Sequence, residues 1–144
     1  MFCLLTSKGV LMKVKISLPE MDADIKVEVK RKYLQAVGVF GEAEGAYVLA
    51  KSDGVIGALL SARDQFKNKV GSAASVLLSN FRLAKKKSKE VDEFQKISGA
   101  ALFYLCDIYD VIPDYVPHIG YLDDAHVLNL CFALLRKNGH KLSA

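Results

Sequence analysis

The sequence predicts a mainly α-helical protein: a helical bundle built on an αα-hairpin with an acidic, Pro-containing loop, preceded by a small N-terminal β-hairpin. Three observations carry this. Apolar residues recur at three- and four-residue spacing through most of the chain after residue 31. Two strongly apolar stretches flank a segment holding Pro113, Pro117 and Gly120, which a helix does not continue through. Residues 12–18 and 25–30 instead alternate apolar with polar, the period of half-buried strands. The division that follows is a β-hairpin appendage over 1–31 and a helical domain over 32–144. With 144 residues, 51% of them hydrophobic, the chain can bury a core without disulfides or metal, and low-complexity disorder is excluded.

Element by element, Met12, Val14, Ile16 and Leu18 alternate with Lys13, Lys15 and Ser17, and Ile25, Val27 and Val29 alternate with Lys26, Glu28 and Lys30. Residues 19–24, rich in acids and opened by Pro19, supply the turn. A competing pattern exists: Ser17 and Glu20 have capping-box spacing, and Leu18, Met21, Ile25, Val29 and Tyr33 fit one face of a helix starting near residue 18. The β-branched run favours the hairpin. An isolated hairpin is marginal, so its apolar face packs on the helices or on a second copy, which leaves dimerisation open.

A helical stretch with Tyr33, Leu34, Val37 and Phe40 on one side comes next. A firmer helix is expected after Ser52-Asp53-Gly54, carrying Val55, Ile56, Leu59, Leu60, Phe66 and Val70, with a break at Gly71-Ser72. Ser72 caps a third helix that ends in Lys85-Lys86-Lys87. Ser88 is the next N-cap candidate, with Glu90, Asp92 and Glu93 favoured by the helix dipole. Phe94, Ile97, Ala101, Leu105 and Ile108 then mark one face, widened by Leu102, Phe103 and Tyr104 until the helix reads as buried nearly all round. After a compact connection over 111–121, the last helix runs from Leu122 to Lys137, opened by Asp123 and Asp124 and closed by Arg136, Lys137 and Gly139.

The formal charge of +4 conceals a split. Residues 97–135 hold five Asp, two His and no Lys, Arg or Glu, a charge of −5 within a remainder of +9. Cys3, Cys106 and Cys131 form an odd set, two of them in apolar runs, and the first residues lack the pattern of an export signal, so a reducing, cytoplasmic location is expected. Met12 opens an ordinary start of its own, so translation from either Met1 or Met12 is compatible with the sequence.

Ala101-Leu-Phe-Tyr-Leu105, Asp110-Val-Ile-Pro-Asp114, Pro117-His-Ile-Gly120 and Leu122-Asp123-Asp124 together resemble the YkvA-like family, known as domain of unknown function 1232. The resemblance extends over about residues 75–136, weakly at first and strongly from Ile97. It implies a helical hairpin around the acidic loop and no assigned reaction; some larger relatives carry the region in membrane-bound ubiquitin ligases. Asp110, Pro113, Asp114, Pro117, Gly120, Asp123 and Asp124 are the motif positions, of unstated role. The chain departs from the family in having Asp107-Ile108 where Ser-Pro is common.

Three readings of the acidic segment follow. In the preferred one the carboxylates are structural: Asp123 and Asp124 serve the start of a helix, each for about 0.3–1 kcal/mol, while Asp110 and Asp114 cap the Pro-containing turn. In the second, Asp110, Asp114, Asp123, Asp124 and His126, with Asp107 and His118 nearby, gather around a divalent cation, and the oxygen-rich set favours Mg²⁺, Ca²⁺ or Mn²⁺, in a binding protein or a metal-dependent enzyme. In the third, the basic ends Lys85–Lys89 and Arg136–Lys141 flanking an acidic turn resemble a hairpin entering a membrane. The uncharged stretch from Ile97 to Cys106 is only 10 residues, about 15 Å of helix against a ~30 Å hydrocarbon core, which favours a peripheral hairpin over a spanning one.

The run Lys85-Lys-Lys-Ser-Lys89 lacks interleaved aromatics and is partly cancelled by Glu90, Asp92 and Glu93, so nucleic acid is not an expected partner. No phosphate loop or nucleophile motif is present. The expected role is a non-enzymatic binding or scaffolding module, engaging a protein partner, a second copy or a membrane surface.

Overall fold

The computed structural model describes residues 15–107 and 121–143. Among these residues there are five helices and no strand: α1 (Ala23–Val39), α2 (Glu42–Ser61), α3 (Gln65–Lys87), α4 (Glu93–Cys106) and α5 (Leu122–Lys137). Helix α4 touches each of the other four, and α1, α5, α3 and α2 follow one another around it by pairwise contact. That position explains why α4 is apolar on nearly every side: from Ile97 to Leu102 each residue is buried.

The N-terminal β-hairpin is corrected by this arrangement. Residues 25–30, expected as its second strand, lie inside α1, and 15–22 contain no strand; 12–14 fall outside the described residues. Alternation at Ile25, Val27 and Val29 competes with a four-residue repeat at Met21, Ile25, Val29 and Tyr33, and packing decides between them. As a helix the repeat puts Val29 and Tyr33 fully into the core, at the expense of leaving Val27 69% exposed. The weighed alternative of a helix had the correct face but the wrong cap, since the chain enters α1 at Asp22, whose carboxylate accepts the Asp24 N–H at 2.8 Å. The boundary expected after residue 31 falls within α1, which packs on α4 and α5.

The breaks also move. Ser52-Asp53-Gly54 lies within α2 and Gly71-Ser72 within α3. The chain turns instead at 62–64, where Asn68 Nδ2 donates to the Leu59 and Ala62 carbonyls at 2.9 and 2.8 Å and the Asp64 carboxylate caps α3 through Phe66 N–H at 2.8 Å. Gly71 is a contact and not a breaker, because a Cβ there would stand 2.9 Å from Leu59 Cβ, so its absence lets α2 and α3 approach closely. The α1–α2 turn uses the same device. Phe40 lays its ring against Gly99 of α4, where an added Cβ would meet Phe40 Cζ at 2.2 Å, and meets Phe81 edge-on at 6.0 Å.

Helix α4 begins at Asp92, not Ser88: the Asp92 carboxylate accepts Gln95 N–H at 2.9 Å. Gln95 Nε2 then donates to the Ser88 and Glu90 carbonyls at 3.2 and 3.1 Å, so one buried amide organises the α3–α4 turn. Helix α5 has the bounds expected of it and closes through His140 N–H to Leu135 O at 2.9 Å, with Gly139 at φ 77°. Helices α4 and α5 pack on each other, while 108–120, the Pro-containing connection between them, lie outside the described residues.

Both described chain ends lie across the bundle in extended form. Ile16 is fully buried, and Asn129 of α5 grips its backbone from both sides: Ile16 N–H donates to Asn129 Oδ1 at 2.7 Å and Asn129 Nδ2 donates to Ile16 O at 2.9 Å. At the other end Asn80 of α3 does the same to Ser143, at 2.7 and 2.8 Å, beside the fully buried Leu142. A side-chain amide has the donor–acceptor pair of a peptide group, so each Asn stands in for a neighbouring strand.

Candidate functional site

The aspartates that open α5 are core residues. Asp123 is 0% and Asp124 1% exposed. Helix α5 starts from Tyr121 in the left-handed region, φ 73°, and both carboxylates occupy its first turn, where the helix N-terminus favours negative charge. Tyr104 of α4 donates its hydroxyl to Asp123 Oδ2 at 3.0 Å, and Lys32 Nζ of α1 stands 5.5 Å from the centre of the Tyr104 ring. Three helices thus meet at one acidic point. A buried carboxylate is tolerated when it is hydrogen-bonded and near positive potential, and both conditions are present.

His126 borders the hollow beside residues 15–20, with Lys26. Along α5 it lies two residues beyond Asp124, roughly 160° around the axis at ~100° per residue, on the side toward α1. Burial, reinforced by Lys26 and Lys30, lowers its pKa from the ordinary imidazole value. Among the described residues no group of three or more His, Cys, Asp or Glu side chains is placed to hold a metal ion. Asp107 ends α4, its N–H donating to Tyr104 O at 3.2 Å. Asp110, Pro113, Asp114, Pro117, His118 and Gly120 lie outside the described residues.

The two described cysteines, Cys106 and Cys131, are both buried. Cys131 is enclosed between α4 and α5, its Sγ 3.5 Å from Ile97 O, and burial pushes its thiol up to about 12. Tyr33 of α1 donates to the same carbonyl at 2.9 Å, and its phenol is likewise raised by burial. Cys106 Sγ lies 3.6 Å from Ser52 Oγ in the α2–α4 contact. The basic run 85–89 ends α3, where cations suit the helix dipole, and Lys85 Nζ is 3.5 Å from Glu42.

The open feature is the face between α1 and α5, which sequence reasoning did not single out. Here Tyr33, Leu34, Leu130 and Leu134 line a groove of about 340 Å³ with Lys30 and Lys137 on its rim. Leu34 is 45% exposed. Neither Lys30 nor Lys137 takes part in an ion pair among the described residues. Leu130 also borders the hollow under residues 15–20, where Lys15, Lys26 and His126 meet, so the groove and the Asn129 clamp are continuous. The signal was present as Asn129, a lone amide in the otherwise apolar stretch from Val127 to Leu135, and as the four-residue spacing of Lys26, Lys30 and Leu34.

Fold and site define the class: among the described residues, a helical bundle whose central helix and a partner helix are joined across a buried tyrosine–aspartate contact. Residues 97–130, from the core of α4 to the middle of α5, match the family model described as "Protein of unknown function (DUF1232)". No curated protein and no solved structure matches the chain. No helix among the described residues is long and apolar enough to cross a membrane; α4, with 14 residues, spans about 21 Å against a ~30 Å hydrocarbon core.

Proposed function

We propose that this chain is a non-enzymatic binding module in which the DUF1232 segment is the fixed core and the α1–α5 face is the binding face. One observation carries the reading: the groove that leaves Leu34 exposed and places Lys30 and Lys137 on its rim joins apolar surface to uncompensated positive charge. A folded protein retains such a combination at little benefit to its own stability, and apolar patches rimmed by polar groups are characteristic of contact surfaces. The motif aspartates support the same division of labour, since Asp123 accepts a hydrogen bond from Tyr104 of α4 and both Asp123 and Asp124 are closed to solvent.

The test is position-specific photocrosslinking in living cells from a photoreactive residue at position 34, compared with position 60, where Leu60 is similarly exposed on α2. Adducts are expected from 34 and are expected to disappear in Lys30→Glu/Lys137→Glu. Equal adduct formation from both positions, or none from 34, contradicts the reading.

A peripheral membrane role is a second reading, favoured by the same lysines beside exposed Val27 and Leu34. It predicts membrane-fraction protein released by a carbonate wash; protein entirely in the supernatant before washing removes it.

A further inference from the structure

The groove between α1 and α5 shares Leu130 with the hollow beside residues 15–20, and the way Ile16 is held shows what the adjoining surface accepts. Ile16 is held in two ways at once. Its backbone is bound through both polar groups by Asn129, an interaction indifferent to side-chain identity, and its side chain is buried completely. This is the logic of strand addition, in which main-chain hydrogen bonds supply affinity and pockets for alternate side chains supply selectivity. The segment runs antiparallel to α5, since Met21 packs on Leu122 in the first turn while Ile16 lies at Asn129. Along α5 beyond Asn129, the residues Leu130, Leu134 and Lys137 line the groove. The groove's apolar floor therefore adjoins a site where main chain is already held.

Charge selects the occupant. The groove lining holds Lys30 and Lys137 and no carboxylate, and on the clamp side Lys15 and Lys26 outnumber the one carboxylate, Glu20. The chain's own residues before Ile16 include Lys8, Lys13 and Lys15 and no Asp or Glu, so they match the rim poorly. Past Leu134 the neighbouring hollow carries Glu93, itself 2.7 Å from His140, together with Lys96, so the uniformly positive stretch is limited to the two lysines and the leucines between them.

We propose that the α1–α5 groove binds a short extended polypeptide segment of a partner protein, one that alternates aliphatic with acidic residues, laying aliphatic side chains over Leu34, Leu130 and Leu134 and carboxylates toward Lys30 and Lys137. The proposal rests on the reading of this face as the binding face and specifies its ligand. Alternation is required because successive side chains of an extended segment point to opposite sides, so every second residue meets the floor.

The experiment is selection of a displayed library of random eight-residue peptides on the immobilised full-length protein, followed by affinity measurement on synthetic versions of the enriched peptides. Expected are sequences with aliphatic residues at every second position and Asp or Glu between them. Their affinity should fall at least tenfold in Lys30→Glu/Lys137→Glu and in Leu34→Asp, weaken with added salt, and stay unchanged in Lys51→Glu on α2. Circular dichroism melting verifies that each variant is folded. Enrichment without acidic bias, apolar spacing of three and four, or equal binding to the double variant overturns the proposal. Phosphatidylglycerol vesicles are the parallel arm. Vesicle binding lost in the double variant, with no peptide enriched, keeps the face and eliminates the polypeptide; absence of both eliminates the face as well.

Discussion

The two sides of α5 do opposite things with the same helix. Toward the core, Asp123, Val127 and Cys131 meet α4 in surroundings dry enough to raise the Cys131 thiol to about 12, and even the carboxylates are closed to water. Toward α1, His126, Asn129, Leu130 and Lys137 border hollows and cationic side chains, and Asn129 grips the backbone of a separate segment. The lesson is that the motif aspartates that are described, Asp123 and Asp124, lie on the buried side, whereas the side that borders the groove carries no motif. A buried hydrogen-bonded carboxylate is costly to change, while a groove residue is not, because solvent already occupies its place.

The comparison breaks most visibly at Leu128, fully buried on α5. Leu128→Ala should destabilise by about 2–5 kcal/mol in chemical denaturation, through lost transfer energy and the cavity left behind. A loss below ~1 kcal/mol would mean that the core side of α5 is loosely packed.

Next in size is the contact between Tyr104 and Asp123. Tyr104→Phe and Asp123→Asn should each cost roughly 1–3 kcal/mol, and the double variant should cost less than the sum, since both remove one hydrogen bond. Because the contact is structural, the losses should be the same with or without Mg²⁺, Ca²⁺ or Mn²⁺. A metal-dependent rise in melting temperature that Asp123→Asn abolishes would return these carboxylates to a metal site.

Asn129→Ala tests the other side. It should cost about 1–2 kcal/mol and, more tellingly, release protection of the Ile16 amide from hydrogen exchange while amides of α4 stay protected. Uniform loss of protection would show that the clamp is integral to the core.

His126 gives the smallest effect. Its pKa is lowered in the folded state, so below about 6.5 the unfolded chain takes up the proton first. This group's contribution is constant above that pH and is lost as pH falls toward the folded-state pKa. Stability should therefore decline on mild acidification, and His126→Gln should flatten the decline; an unchanged pH profile would place the imidazole away from Lys26 and Lys30.

Legibility in the sequence followed how local each determinant is. Helix α5 was readable at both ends because its acids, closing Arg136-Lys137 and Gly139 act within one turn of the helix. The burial of α4 was readable because no charged residue interrupts its apolar surround from Ile97 to Cys106. The segment 25–30 was misread because Ile25 and Val29 satisfy periods of two and of four alike, and only Tyr33, reaching Ile97 O on another helix, breaks the tie. Gly54 and Gly71 resemble breaks, yet the penalty for glycine inside a helix is about 1 kcal/mol, and at Gly71 the close approach of α2 offsets it.

By itself the sequence determined that the chain is helical, that α4 is buried, that α5 runs from Leu122 to Lys137, and which family motif the segment around it carries, because these depend on periodicity, composition and end chemistry over a few turns. The tertiary structure decided that Asp123 and Asp124 are buried, that His126 borders a hollow with Lys15 and Lys26, and that Asn129 and the Lys30–Lys137 groove adjoin through Leu130. Those facts depend on the angle at which one helix meets another, and side chains 113 positions apart, such as Ile16 and Asn129, are brought together only by packing.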